Sequence, residues 1–306
     1  MRRTSLLQPR KCIAYAEASS ELSEHSLDES SFRSSTSIFG ETEERAMRIS
    51  INEKASFVEL LPFGAEETVP VMQQVPDHVR CLYLPNFDAD QVRIFHPSRC
   101  PDLSKDCASF LVKLRFVLIN NDQSRGVPKE EGYIDDLMLH IMKVLEFDDG
   151  LNMIVKHCYL DLTIGTESFS ANADCEGCRA LGIIWVLQES KHTYDTRYKE
   201  GDVQLIACML AACQSNYNQY LQYYPTKIFG IKTRGDQLSF YCITVDQAYM
   251  ESLKNGLPLK RSLGLAVAKY PAGRGLRLSN PVERAEALQH LWRLRQYAMT
   301  LDPFDQ

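Results

Sequence analysis

Glu189 and Lys191 stand two residues apart at the end of an apolar run, Leu181-Gly182-Ile183-Ile184-Trp185-Val186-Leu187-Gln188. Residues two apart on a strand share one face. No other acid-x-Lys triplet occurs in the chain. Asp174 lies 15 residues earlier, close enough for adjacent strands joined by a turn to bring both carboxylates together. Two such carboxylates repel unless a cation sits between them. Mg²⁺, or Mn²⁺ in its place, takes few protein carboxylates and keeps water on its other positions. It polarises a phosphate oxygen and lowers the pKa of its bound water. Lys191 would hold that water or balance the charge that develops on phosphorus. The carbonyl of Ser190 would be a further metal ligand. Gln204 and Glu131 are the other groups that could join. The implied chemistry is metal-assisted hydrolysis of a phosphodiester. The plain alternative is a strand terminus whose charges face water.

These residues need elements to position them. Ile134, Leu137, Met138, Ile141, Met142 and Leu145 recur at three- and four-residue spacing and predict an amphipathic helix over 131–146. Strands are predicted at 158–164, 168–174 and 180–191, with turns at Gly165 and at Cys175-Glu176-Gly177-Cys178. Asp202 reads as an N-cap for a buried helix over 203–217. Strands at 228–231 and 238–245 flank the turn Arg234-Gly235-Asp236. Helices are predicted over 246–256 and 281–299. The segment 110–118 suits a helix or a strand. The expected class is α/β (α+β), a mixed sheet flanked by helices.

The rest of the chain sets bounds. Its 306 residues suffice for one large domain or two small ones. No apolar run reaches the roughly 20 residues of a membrane span, and the N-terminus lacks a signal-peptide core. A soluble intracellular protein is expected, in nucleus or cytoplasm. Ten scattered cysteines, several within apolar stretches, read as reduced thiols. The single CxxC, Cys175 and Cys178, has no second ligand pair and reads as a turn rather than a zinc site.

Charge is unevenly spread. Residues 17–44 hold eight acids against Arg33, a net of −7. Residues 254–295 hold nine Lys and Arg against two acids, a net of +7. The basic stretch suits a phosphate backbone or an ordinary solvated surface. Residues 1–50, rich in Ser and Glu, read as a disordered tail. Residues 51–125 read as an N-terminal extension packing on the core, and 126–300 as the domain that carries the site.

The ordered part resembles the PD-(D/E)XK, or restriction-endonuclease-like, nuclease superfamily. The resemblance rests on Asp174, on Glu189-Ser190-Lys191, on the helix before the meander and on Gln204 after it. More narrowly it is similar to a fungal family within that superfamily. The matching pieces are Glu131 to Asp136, Ala173-Asp174, Val186 to Lys191, Gln204-Leu205-Ile206-Ala207, Gln214-Ser215-Asn216 and Phe240-Tyr241. Together they span about residues 130–300. Ala173 replaces the proline that often precedes the first acid. Ser190 stands where the fungal set has an acid. The resemblance implies a restriction-endonuclease-like core with Mg²⁺ or Mn²⁺ held by Asp174, Glu189 and the Ser190 carbonyl. It also implies Lys191, Gln204 and Glu131 as further catalytic groups, with Asp135 the weaker match for the upstream acid. DNA or RNA would lie along the basic 254–295 region. The alternative is an inactive nuclease fold serving as a binding or effector module.

Other candidates read as structural. His192 would face away from Lys191. Tyr217 to Tyr224 could stack on bases or cap a helix against the core. Trp185 and Trp292 read as core anchors.

Overall fold

The structure, a computed structural model, describes residues 35–36, 39–61, 75–122, 132–148, 152–179, 182–189, 200–220, 227–244, 246–257, 259 and 262–300. The order of elements begins with α1 (Glu41–Ala46), β1 (Ile49–Glu53), α2 (Asp77–Arg80), α3 (Ala89–Ile94), α4 (Lys105–Asn120) and α5 (Gly132–Val144). It continues with β2 (Asn152–Ile164), β3 (Glu167–Arg179), β4 (Gly182–Glu189), α6 (Glu200–Tyr220), β5 (Lys227–Arg234) and β6 (Gln237–Thr244). It closes with α7 (Gln247–Lys254), β7 (Leu265–Tyr270), β8 (Leu276–Arg277) and α8 (Pro281–Thr300).

The strands form one eight-stranded mixed sheet, ordered β1-β7-β6-β5-β4-β3-β2, with β8 beside β6. Among the described strands, β1–β7 and β4–β5 pair in parallel and the other pairs are antiparallel. Each parallel pair needs a crossover, and α6 supplies the one between β4 and β5. α4, α5 and α8 share a hydrophobic cluster with one set of strand side chains, including Trp185, Leu187, Phe229, Ile231 and Phe240. α6 and α7 share a second cluster with Val186, Ile228, Tyr241 and Val267. The sheet thus lies between two helical layers.

The helix predicted over 131–146 is α5, and its apolar stripe is buried as the spacing requires. The 110–118 segment is helical, inside α4. Its Phe110, Leu111, Leu114, Val117 and Leu118 fall on one buried face. α6 is longer than expected, and Asp202 lies within its first turn instead of capping it. The helix is buried from Leu205 to Cys213 without a break. It approaches the sheet at Gly230, where a Cβ would stand 2.7 Å from Met209 Sδ and 2.9 Å from Leu205.

Two side-chain amides of α6 act as strand partners. Gln214 receives the Thr163 N–H at 2.7 Å and donates to the Thr163 carbonyl at 2.8 Å. Asn216 does the same to Ile183, both at 2.8 Å. The Gln-x-Asn pair noted in the sequence thus fastens the helix to β2 and β4.

Three expectations change. Cys175 to Cys178 is not a turn but continues β3, with a bulge at Gly177/Cys178. Gly177 pairs with Trp185, and a Cβ there would stand 1.9 Å from the indole ring. A strand can pass that ring only as glycine. Cys175 and Cys178 fall in opposite core clusters, so the pair does not converge on one ion. The border at residue 50 falls inside β1, which pairs in parallel with β7. The preceding segment is also built in, because Phe39 and Met47 are buried and Thr36 Oγ1 donates to the Ser170 carbonyl. β1, β7 and β8 were not anticipated.

Candidate functional site

The β3–β4 ladder ends at the pair Cys175–Leu187. Asp174 is the next residue on β3, and Gln188 and Glu189 are the next two on β4. On its other side β4 continues to pair, Gln188 with Lys232 and Glu189 with Thr233 of β5. Continued by one residue, the β3–β4 register would set Asp174 opposite Gln188, with Glu189 one position further along β4. Ser190, Lys191 and Glu131 lie outside the described residues, as does the side chain of Glu189. The separation of the two carboxylates lies outside them too.

Two thiols report where the charge of Asp174 acts. Burial pushes the Cys175 thiol up to about 12, and the carboxylates of Asp135 and then Asp174 push in the same direction. Burial likewise pushes the Cys208 thiol on α6 up to about 12, again with Asp174 adding. Ala173 packs in the α6 cluster and Cys175 in the α4/α5/α8 cluster. Simple alternation would put both on one face. Asp174 thus stands where the long β2–β3 hairpin passes from one core layer to the other, and its field reaches both.

Asp135 is the α5 acid that, like Asp174, acts on the Cys175 thiol. Its Oδ1 is closed off from solvent. Gln204 is half-buried on α6, one turn before Cys208. Residues four apart on a helix are neighbours, so Gln204 lies on the same side of α6 as Cys208.

Beside this region lies an ion cluster that the sequence reading missed. Lys232 Nζ is 2.5 Å from Asp202 Oδ1, and Lys269 Nζ is 3.6 Å from Asp202 Oδ2. The Tyr241 hydroxyl donates to Asp202 Oδ1 at 2.8 Å. Glu53 of β1 reaches Lys269 at 3.5 Å. Asp202, Lys232 and Lys269 are all buried. Burial pulls the Lys232 ammonium below its usual range, Asp202 opposes this, and Lys269 adds to it. Asp202 also sits in the first turn of α6, where the helix dipole favours an anion. The sequence signal was a lysine inside an otherwise apolar strand, at Ile231-Lys232 and at Val267-Ala268-Lys269.

The basic stretch is not one cationic surface. Lys269 is interior, and Arg284 is fully buried, donating to the carbonyls of Tyr83, Leu84 and Phe87. Arg274 forms a two-pronged pair with Glu283, and Arg295 stacks over Trp292 and binds Glu146. Lys254 lies over the Tyr217 ring at 4.1 Å. Trp185 and Trp292 are both buried. His192 and the His157 side chain lie outside the described residues.

Among the described residues no group of three or more His, Cys, Asp or Glu is placed to hold a metal ion. No described helix is long and apolar enough to cross a membrane. No known protein-family model matches the chain, and no curated protein matches it in sequence.

Proposed function

We propose that the chain is a metal-dependent nuclease-like protein that hydrolyses phosphodiester bonds of a nucleic acid, with a restriction-endonuclease-like core running from α5 to β5. The supporting observation is that β3 and β4 run paired as far as Cys175–Leu187, which leaves Asp174 one residue and Glu189 two residues beyond that pair, with Asp135 of α5 and Asp174 both bearing on the Cys175 thiol. Carboxylate oxygens are the donors that Mg²⁺ and Mn²⁺ prefer. In this reading Asp174, Glu189 and the Ser190 carbonyl would hold the ion, which supplies a lowered water pKa and a polarised phosphate oxygen. Asp135 takes the place first given to Glu131 as the upstream acid. Lys191 would orient the attacking water and balance charge on the phosphorane. Gln204 would hold the water or a phosphate oxygen by hydrogen bonding. The test is cleavage of plasmid and single-stranded DNA and of RNA with Mg²⁺ or Mn²⁺. Asp174→Asn, Glu189→Gln and Lys191→Ala should each lose roughly 100-fold or more. Activity of Lys191→Ala equal to wild type sinks the reading.

One observation favours a second reading, an inactive binding or effector module on the same fold. Lys269 and Arg284 of the basic stretch are interior and Arg274 and Arg295 are paired, which thins the cationic surface a nucleic acid would need. A calorimetric titration with no Mg²⁺ or Mn²⁺ binding would select it.

A further inference from the structure

Two thiols meet where the chain leaves α2 and where it enters α4. Cys81 follows α2 directly and is half-buried, whereas Cys107 lies in the first turn of α4 and is buried. Ser104 caps α4 by accepting from the Cys107 N–H at 3.2 Å, which fixes the backbone that carries Cys107. The Cys107 thiol donates to the Cys81 carbonyl at 3.2 Å, and the Cys81 thiol donates to the His78 carbonyl at 2.9 Å. The two side chains also lie within hydrogen-bonding reach of each other, with the Ser104 side chain as a further partner of Cys81. Both cysteines are free thiols in this structure. A disulfide needs the sulfurs at about 2.05 Å, and closing that gap breaks only weak thiol hydrogen bonds.

We propose that Cys81 and Cys107 form a dithiol pair that a small disulfide of the oxidised-glutathione class converts into an intramolecular disulfide. Cys81, the more exposed, is the point of entry. Its thiolate attacks one sulfur of the reagent, the reagent S–S bond breaks, and one half leaves as a thiol with the proton that Cys81 gave up. Cys107 then attacks the Cys81 sulfur as its thiolate, and the second half leaves with the Cys107 proton. Two protein thiols are oxidised and the reagent is reduced to two thiols. Burial pushes the Cys81 thiol up to about 12, with Cys107 adding in the same direction. So basic a thiol forms little thiolate and leaves a disulfide reluctantly. The bond therefore forms slowly and reopens slowly, as a staple does. It joins residues 26 apart. Between them lie α3 and the carbonyls of Tyr83, Leu84 and Phe87 that hold Arg284. Closing that loop restricts the unfolded chain and so stabilises the fold. The inference is independent of the nuclease-like reading.

The test incubates the folded full chain with oxidised glutathione, blocks the remaining thiols, and maps the disulfides by mass spectrometry. The expected product is a peptide pair joined through Cys81 and Cys107, lighter by two hydrogens. Its thermal midpoint should stand at least about 3 °C above that of the reduced chain. Cys107→Ala should trap a lasting glutathione adduct on Cys81. The wild-type map decides the pair even where that variant folds poorly. Cys100, also half-buried and in the same loop, is the internal control. A link from Cys81 to Cys100, a lasting adduct on Cys81 in the wild type, or no reaction at Cys81 overturns the pair. A mapped Cys81–Cys107 bond that leaves the midpoint unmoved overturns the staple.

Discussion

Lys232 of β5 and Asp202 of α6 meet at 2.5 Å in the protein interior, with each side chain no more than 5% exposed. Thirty residues and a whole helix separate them in sequence. Taking two charges out of water is expensive, and their contact repays the cost only while both partners are present.

Removing one partner should therefore be severe. Asp202→Ala leaves Lys232 and Lys269 buried with no carboxylate between them and should cost about 3–5 kcal/mol. Replacing both members, as in Asp202→Leu with Lys232→Met, should recover much of that loss. Urea unfolding midpoints check both. An Asp202→Ala midpoint within error of wild type would show that the cluster contributes nothing.

His290 sets a pH dependence. It stacks on Phe57 at 4.3 Å and is ringed by Phe240 and Tyr270. Nε2 lies 3.4 Å from Glu286 Oε1, within ion-pair range, and Nδ1 lies 3.4 Å from Arg293 Nη1. Burial, with Arg293 adding, pushes the imidazole down to about 3. The ring is neutral, with Nδ1 accepting from Arg293 and Nε2–H donating to Glu286. Below the ordinary histidine pKa near 6.5 the unfolded chain takes a proton that the folded chain refuses. Stability should fall by about 1.4 kcal/mol per pH unit from roughly pH 6 toward 3 on this account. His290→Gln should flatten that part of the stability–pH curve. The measurement is urea unfolding across that pH range for both proteins.

Gly177 should tolerate no side chain. A Cβ would stand 1.9 Å from Trp185 Cε2 and 2.0 Å from Nε1, which ordinary rotamer adjustment does not relieve. Trp185 is itself held edge-on by Phe147 at 5.4 Å. Gly177→Ala should cost about 3 kcal/mol or more, at or beyond the upper end for overpacking. A red-shifted Trp emission would accompany the loss if the indole is expelled toward water.

Asn216 is a backbone clamp, and its loss should be felt as two unsatisfied groups. Asn216→Ala frees both the N–H and the carbonyl of Ile183 beside the β3 bulge. The expected cost is about 2–4 kcal/mol. Hydrogen exchange at the Ile183 amide should rise well beyond the global loss of stability if the clamp is local.

Local pattern was enough to read much of this chain. The stripe Ile134-Leu137-Met138-Ile141 determines α5, because four apolar side chains on one face can be buried only if the segment is helical. The turn Arg234-Gly235-Asp236 between two apolar runs marks the β5–β6 hairpin, where Gly235 takes a positive φ. The acids at Asp174 and Glu189 were legible as residues at strand positions. Tertiary structure alone decided what surrounds them. Cys175 to Cys178 reads as a turn by composition but is strand, because Gly177 lies against a tryptophan eight residues away. Lys269 and Arg284 read as surface charge but are interior, because their partners come from Asp202, Glu53 and the carbonyls of residues 83–87. β1 finds β7 more than two hundred residues later, a pairing that no local preference encodes. Periodicity reports which face of an element is apolar. Which charges are enclosed, and beside which carboxylates, depends on contacts between distant segments that exist only once the sheet has closed.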